Sequence, residues 1–212
     1  MPLTAHESTF THKPMPSGMQ AAICVGVVDL GTQSGFGGKD QHKVLLVWET
    51  PEIRANVERE GQTVSIPRTI NATYTLSLAE NANLRRMLES WRGRGFTPEE
   101  LKGFDIRRIL GKACYVQIFE EVSKAGRPYS AVRNVLQIPK TLAPLRAETP
   151  LMYFSFEDLD PSNPVLPPVL PEWLQGKIRE SPEWRDLTTP NQAVAAPRED
   201  DGEPPITDDL PF

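Results

Sequence analysis

Proline crowding constrains this chain most: eight of its 21 prolines lie between Pro139 and Pro171. Each fixes its own φ and removes a backbone donor, so a stretch punctuated this way sustains neither a long helix nor a central strand. The compact core therefore has to be completed before it. The roughly 120 residues available there can bury a real hydrophobic core without metals or disulfides. The expected organisation is a flexible or loosely docked arm over residues 1–18, a folded domain over 19–140, a proline-rich extension over 141–184 with short elements packed on the core, and a disordered acidic tail over 185–212.

Within 19–140 the pattern is that of strands interrupted once by helices. Residues 20–30 (QAAICVGVVDL) are rich in β-branched side chains, with Gly26 a candidate bulge. The glycines of 31–39 (GTQSGFGGK) predict a mobile loop. Residues 42–49 (HKVLLVWE) form a second strand whose near-continuous apolar run leaves its core-facing side undetermined, and 51–61 read as a hairpin connection. In 64–78 (VSIPRTINATYTLSL) Ile70, Ala72, Tyr74, Leu76 and Leu78 alternate onto one face, while Pro67 marks an edge or an interrupted ladder. The period then changes. Leu84, Met87, Leu88 and Trp91 make a helical stripe, Thr97-Pro98-Glu99-Glu100 is a capping box for a second helix, and Asp105 caps a further turn stopped by Gly111. Residues 112–121 and 128–138 are two more strands, joined as a hairpin across 124–127. Beyond them, 151–157 suggest an added strand and 171–184 one or two short helices, with Trp173 and Trp184 expected to dock on the domain.

Three strands, helices, then two strands is the connectivity of the OB-fold, a partly open Greek-key barrel that often binds oligonucleotides. The expected fold is therefore mainly β: a five-stranded OB-fold barrel with helices between strands 3 and 4, plus the disordered acidic tail. A small β-sandwich with a helical excursion is the alternative. Charge distribution agrees with a nucleic-acid partner. The formal net charge is −5, yet residues 39–146 carry 18 basic against 12 acidic side chains, a local net of +6, while residues 186–212 carry seven acidic against one basic.

Holding a single strand with little sequence preference takes cations along a groove and aromatic faces on which bases stack. The candidate cations are Lys39 and Lys43 by the glycine-rich loop, Arg54 and Arg68 around the second-to-third strand connection, and Lys124, Arg127 and Arg133 on the last hairpin. The candidate stacking residues are Trp48, Tyr115, Phe119 and Tyr129. Tyr115 and Phe119 alternate with Cys114, Val116 and Ile118 and so fall on the more polar face, whereas Tyr74 reads as core. Arg85, Arg86, Arg107 and Arg108 read as solvated helix faces, and the stretch from Trp91 to Phe96 (WRGRGF) as a secondary contact.

Catalysis finds little support. His6, His12 and His42 accompany no recognisable nucleophile motif, and residues 31–38 lack the adjacent lysine–serine pair of a phosphate-cradling loop. No enzyme activity, metal or cofactor is expected. Cys24 and Cys114 lie in apolar stretches and read as buried, reduced thiols. With no signal-like leader and no apolar run near the ~18 residues of a membrane span, the expectation is a soluble cytoplasmic protein without membrane contact.

The tail carries its own signal. Asp208, Asp209, Leu210, Pro211 and Phe212 combine a ring, a restricted backbone and acidic charge, which suits an apolar pocket with a basic rim on a partner protein. This Asp-Asp-Leu-Pro-Phe ending resembles the acidic tip of bacterial single-stranded DNA-binding proteins, typically Asp-Asp-Ile-Pro-Phe, with leucine here in place of isoleucine. The resemblance implies docking onto replication, recombination and repair proteins. The body is similar instead to a group of bacteriophage OB-fold single-stranded DNA-binding proteins, through Pro16-Ser17-Gly18, Val28-Asp29-Leu30-Gly31-Thr32-Gln33, Tyr74-Thr75-Leu76-Ser77-Leu78, Leu88-Glu89-Ser90-Trp91-Arg92-Gly93 and Leu110-Gly111-Lys112. That similarity spans most of residues 16–140. It implies a protein that coats single-stranded DNA during phage replication or recombination in the cytoplasm of a bacterial host; the sequence itself leaves the oligomeric state open, a homodimer included. Two competing readings stand beside it: a protein-interaction adaptor and an RNA-binding OB module.

Overall fold

The computed structural model describes residues 14–59, 61–139 and 144–189. Strands β1 (Gly18–Ser34) and β2 (Asp40–Arg59) pair antiparallel, and β3 (Gln62–Thr75) pairs with β2. Strand β1 is bulged at Val25 and at Leu30, where its register against β2 slips by one residue. Bulges bend a strand and increase its twist, which lets β1 serve three neighbours. It pairs with β2 over most of its length, with β4 (Ala113–Val122) over Gly18–Ile23, and in parallel with the short β6 (Met152–Phe154) over Gly26–Val28. Strand β5 (Pro128–Leu136) completes the hairpin with β4, giving the order β3-β2-β1-β4-β5. Edges β3 and β5 are not hydrogen-bonded partners but approach within 8 Å, Cα to Cα, so the antiparallel sheet curls into a half-barrel.

The helical excursion lies between β3 and β4. Helix α1 (Asn83–Arg92) buries Leu84, Met87, Leu88 and Trp91, the stripe its sequence spacing dictates. It stops at Gly93, whose φ of +67° is left-handed and whose added Cβ would sit 2.3 Å from Gln137 Oε1. Helix α2 (Pro98–Lys102) opens with the reciprocal Thr97–Glu100 capping box. A 3₁₀ turn over Ile106–Ile109 starts where Asp105 accepts from the Arg107 N–H.

Over residues 22–30 and 44–50, strands β1 and β2 bury both of their faces. Ala22, Cys24, Val27, Val44, Leu46 and Trp48 point into an inner core shared with α1, β4 and β5. Ile23, Val25, Val28, Leu30, Leu45 and Val47 point the other way, into an outer core built with the extension. The unbroken apolar run of β2 therefore has a simple cause: a strand sandwiched between two layers has no solvent face to record. The extension supplies the second layer through Met152 and Phe154 of β6, Leu166 and Leu170 from the proline-rich connection, and Leu174 and Ile178 of α3 (Glu172–Arg179), with Trp184 of α4 (Pro182–Thr188) half-buried at its margin.

Polar latches hold this layer in place. The fully buried Glu49 carboxylate accepts from the N–H groups of Glu148 and Thr149 at 3.0 and 2.6 Å. The Thr32 N–H and hydroxyl donate to Glu183 at 2.8 and 2.6 Å, and His42 lies 2.6 Å from Asp29 and 3.6 Å from Glu183. Gly31, with φ +65°, is needed there because a Cβ would fall 2.6 Å from the Glu183 carboxylate.

Several sequence expectations are corrected. Residues 54–59 stay paired with 62–67, so β2 and β3 run on as a long hairpin past an irregularity between Thr50 and Arg54, because the alternation of the two strands continues through them. Strand β1 runs on to Ser34, into the stretch read as a mobile loop. The arm is docked from residue 14: Met15 is 3% exposed in the inner core, its N–H donates to Ser130, and the Pro14 carbonyl accepts from Arg68. Helix α4 carries order to Thr188, past the expected start of the tail at 185. Leu76 lies beyond the end of β3 and is exposed, and Trp173 is exposed rather than docked. Among the described residues no helix is long and apolar enough to cross a membrane.

Candidate functional site

The sequence-predicted contacts separate into three groups. The largest lies on the outward face of the β4–β5 hairpin. Cys114, Val116 and Ile118 take the inward positions of β4, so Tyr115, Gln117, Phe119 and Glu121 are directed outward. Register sets their neighbours: Leu136 opposes Tyr115, Asn134 opposes Gln117, Ala131 opposes Phe119, and Tyr129 opposes Glu121. On the other flank, Met19 of β1 opposes Gln117. Phe119 is 42% exposed and Tyr129 44%, with Met19 and Leu136 also exposed. No layer covers this face among the described residues, in contrast to the outer face of β1 and β2.

Arg133 occupies a special position on that face. Asn134 pairs with Gln117 and Val132 with Ile118, which leaves Arg133 as the extra residue of a β-bulge. Bulges re-aim side chains, and here the guanidinium lies 5.9 Å from the Phe119 ring centroid and 2.8 Å from Glu121. Glu121 also accepts from the Tyr129 hydroxyl at 2.7 Å, and that bond, with some burial, raises the Tyr129 pKa. One carboxylate thus orients both a cation and a phenol ring beside an exposed phenylalanine. Lys124 and Arg127 are exposed in the turn at the end of the same hairpin, a turn closed by bonds between Ser123 and Arg127. The face joins flat aromatic surface to cations without a deep pocket, an arrangement suited to stacking planar groups and neutralising phosphates.

The second group, Lys39 and Lys43, lies around the β1–β2 turn. Lys39 is exposed, and Lys43 is half-buried, its Nζ donating to Gln41 and Thr75 at 2.5 and 2.8 Å. The third group is occupied structurally. The Arg54 guanidinium is bonded to the Ser65 carbonyl and clamped by both Glu148 oxygens, the carboxylate raising its pKa, and Arg68 is bonded to the docked arm. These two arginines hold the extension and the arm rather than lining an open groove.

Trp48 is a correction. It is 0% exposed in the inner core, tilted against Trp91 with ring centroids 6.3 Å apart, and cannot stack a base from there. The physical reason is the double burial of β2, which gives a tryptophan near the end of its apolar run an inner-core position. The stretch from Trp91 to Phe96 is also committed: Arg94 and Arg92 both pair with Glu100, whose carboxyl Arg94, the Thr97 N–H and Arg92 hold down at about 2, and Arg92 stacks against Phe96 and Phe104. Cys24 and Cys114 are buried, and desolvation pushes the Cys24 thiol up to about 12.

Sequence reasoning missed Met19, Leu136 and the orienting role of Glu121. The period-two alternation of β4 did point to the face, but which β1 and β5 residues complete it depends on register. The five residues 208–212 proposed for partner capture lie outside the described residues. Comparison with protein-family models and with curated proteins finds no match for this chain.

Proposed function

We propose that this chain binds single-stranded DNA with little sequence preference through an OB-type barrel, and recruits replication, recombination or repair proteins through Asp208, Asp209, Leu210, Pro211 and Phe212. The observation that carries the reading is the uncovered β4–β5 face, where Phe119 and Tyr129 lie beside Arg133 and close to Lys124 and Arg127. Bases stack on such rings whatever their identity, and the cations displace phosphate counterions, so binding is tolerant of sequence and weakens with salt. The strand order, with edges β3 and β5 approaching across an open seam, supports the partly open five-stranded barrel of the OB type. The phage-type resemblance of residues 16–140 agrees with a role in coating single strands inside a bacterial host. The acidic tail would repel DNA, so it belongs to protein recruitment.

Fluorescence anisotropy with labelled dT, rU and duplex oligonucleotides over a salt series tests the reading. Tight, salt-sensitive binding of dT with weaker binding of duplex is expected; no dT binding at low salt refutes it, and preference for rU turns it into the RNA-binding alternative. Removing Leu210 to Phe212 is expected to leave dT binding intact and abolish partner capture.

A further inference from the structure

The seam where β3 and β5 fail to join is not closed by apolar packing alone. Two cavities open along it beside α1. One, of about 390 Å³, is lined by Arg86 and Ser90 of α1 and by Arg133 and Asn134 of β5. The other, of about 460 Å³, is lined by Lys43, Thr73, Thr75 and Asn81. Tyr74 and Asn83 line both, so the two cavities adjoin, and the pair is called the trough. Among the described residues no aspartate or glutamate lines either one.

Two cations of the trough, Arg86 and Lys43, are held by neutral acceptors, while the third, Arg133, is paired with Glu121. Arg86 donates to the Asn81 carbonyl at 2.8 Å and to the Asn83 amide oxygen at 3.3 Å, and Lys43 to Gln41 and Thr75. These bonds aim the charges without cancelling them, leaving a positive channel. Arg133 belongs to both regions, since the bulge places it near Phe119 on the platform and in the wall of the trough. Two adjoining cavities running on from an aromatic platform make a longer path than a small anion needs.

We infer that this trough continues the path of a bound single strand away from the β4–β5 face, with Arg86 and Lys43 receiving phosphates and the amides of Asn81 and Asn83 facing sugars or base edges. The inference rests on the single-strand reading above and extends it to the Arg86 side of α1, whose sequence pattern reads as a solvated helix face.

Full-length protein with Arg86→Ala, Lys43→Ala or Phe119→Ala is titrated with oligo-dT over a salt series, using lengths that bracket the roughly 4–16 nucleotides one OB fold covers. Loss of one phosphate contact is expected to weaken binding of the longer dT about tenfold. It also flattens the slope of log affinity against log salt by roughly 0.7. A merely structural role for Arg86 would leave that slope unchanged. A second measurement uses Ser90→Cys labelled with a bulky maleimide to obstruct the trough, which is selective because Cys24 and Cys114 are buried. The labelled protein is expected to lose affinity for long dT, while label at Ser162→Cys in the extension leaves it unchanged. If Phe119→Ala weakens binding but Arg86→Ala, Lys43→Ala and the Ser90 label alter neither affinity nor slope, the trough lies off the path and the inference fails while the function stands. If the unmodified protein binds no dT, the functional reading itself fails.

Discussion

The outward face of β1 and β2 and the outward face of β4 and β5 belong to one sheet, yet they have opposite fates. The first is sealed by the extension, with Ile23, Val25, Val28, Leu45 and Val47 packed against β6 and α3. The second leaves Met19, Phe119, Tyr129 and Leu136 open to solvent. Apolar side chains alone do not distinguish the two. What differs is the company they keep: aliphatic residues on the sealed face, and on the open face aromatic rings interleaved with Gln117, Asn134 and Arg133. Aliphatic surface left open lowers solubility, whereas a ring beside a cation can be satisfied by a ligand.

The largest effect should come from the sealed side. Leu174 and Leu46 are both 0% exposed, one in each core. If the extension is an integral layer, Leu174→Ala should cost about 2–5 kcal/mol, as much as Leu46→Ala, in a single cooperative denaturation. An early separate transition in urea for Leu174→Ala alone would show the extension to be a detachable flap. On the open side, Phe119→Ala should change stability by no more than about 0.5 kcal/mol, because that ring has no covering layer to lose. It should instead reduce dT affinity by about 1–3 kcal/mol, the range for one base–aromatic stack. A clear drop in melting temperature with unchanged affinity would reverse the assignment of the two faces.

A smaller effect is expected at the latch between them. Burial pushes the Glu183 carboxyl up, the hydroxyl and N–H of Thr32 together with the nearby His42 pull it down, and the balance lies below the ordinary carboxylate value. A carboxyl depressed in the folded state contributes its full stability above its unfolded pKa, about 4.3 for glutamate, and loses it as pH falls through the folded value. Acidification below that range should therefore loosen α4, read as faster hydrogen exchange in residues 182–188. Glu183→Gln should cost about 1 kcal/mol at neutral pH, held low by partial exposure, and remove that part of the acid sensitivity. Identical acid profiles for the two proteins would mean that the latch contributes nothing.

Much of the fold was legible in the sequence because its signals are local. The α1 stripe, the Thr97–Glu100 capping box, the Gly26 bulge region and the β4–β5 hairpin each follow from residues within a few positions of one another. The outward placement of Tyr115 and Phe119 followed from the alternation of β4 in the same way. Trp48 was misplaced because an apolar run in a doubly covered strand carries no facing information until its second layer is known. Arg54 and Arg68 were assigned to DNA because a charge in sequence does not reveal a carboxylate or carbonyl waiting many residues away.

The sequence by itself determined the order of strands and helices along the chain, the helical interruption, and the charge division between body and tail. Tertiary structure decided which face stays open, that Arg133 is the bulge residue shared by platform and trough, and that Arg86 enters a channel free of carboxylates. Those outcomes depend on register and on packing between segments distant in sequence, where a one-residue slip exchanges the two faces of a strand.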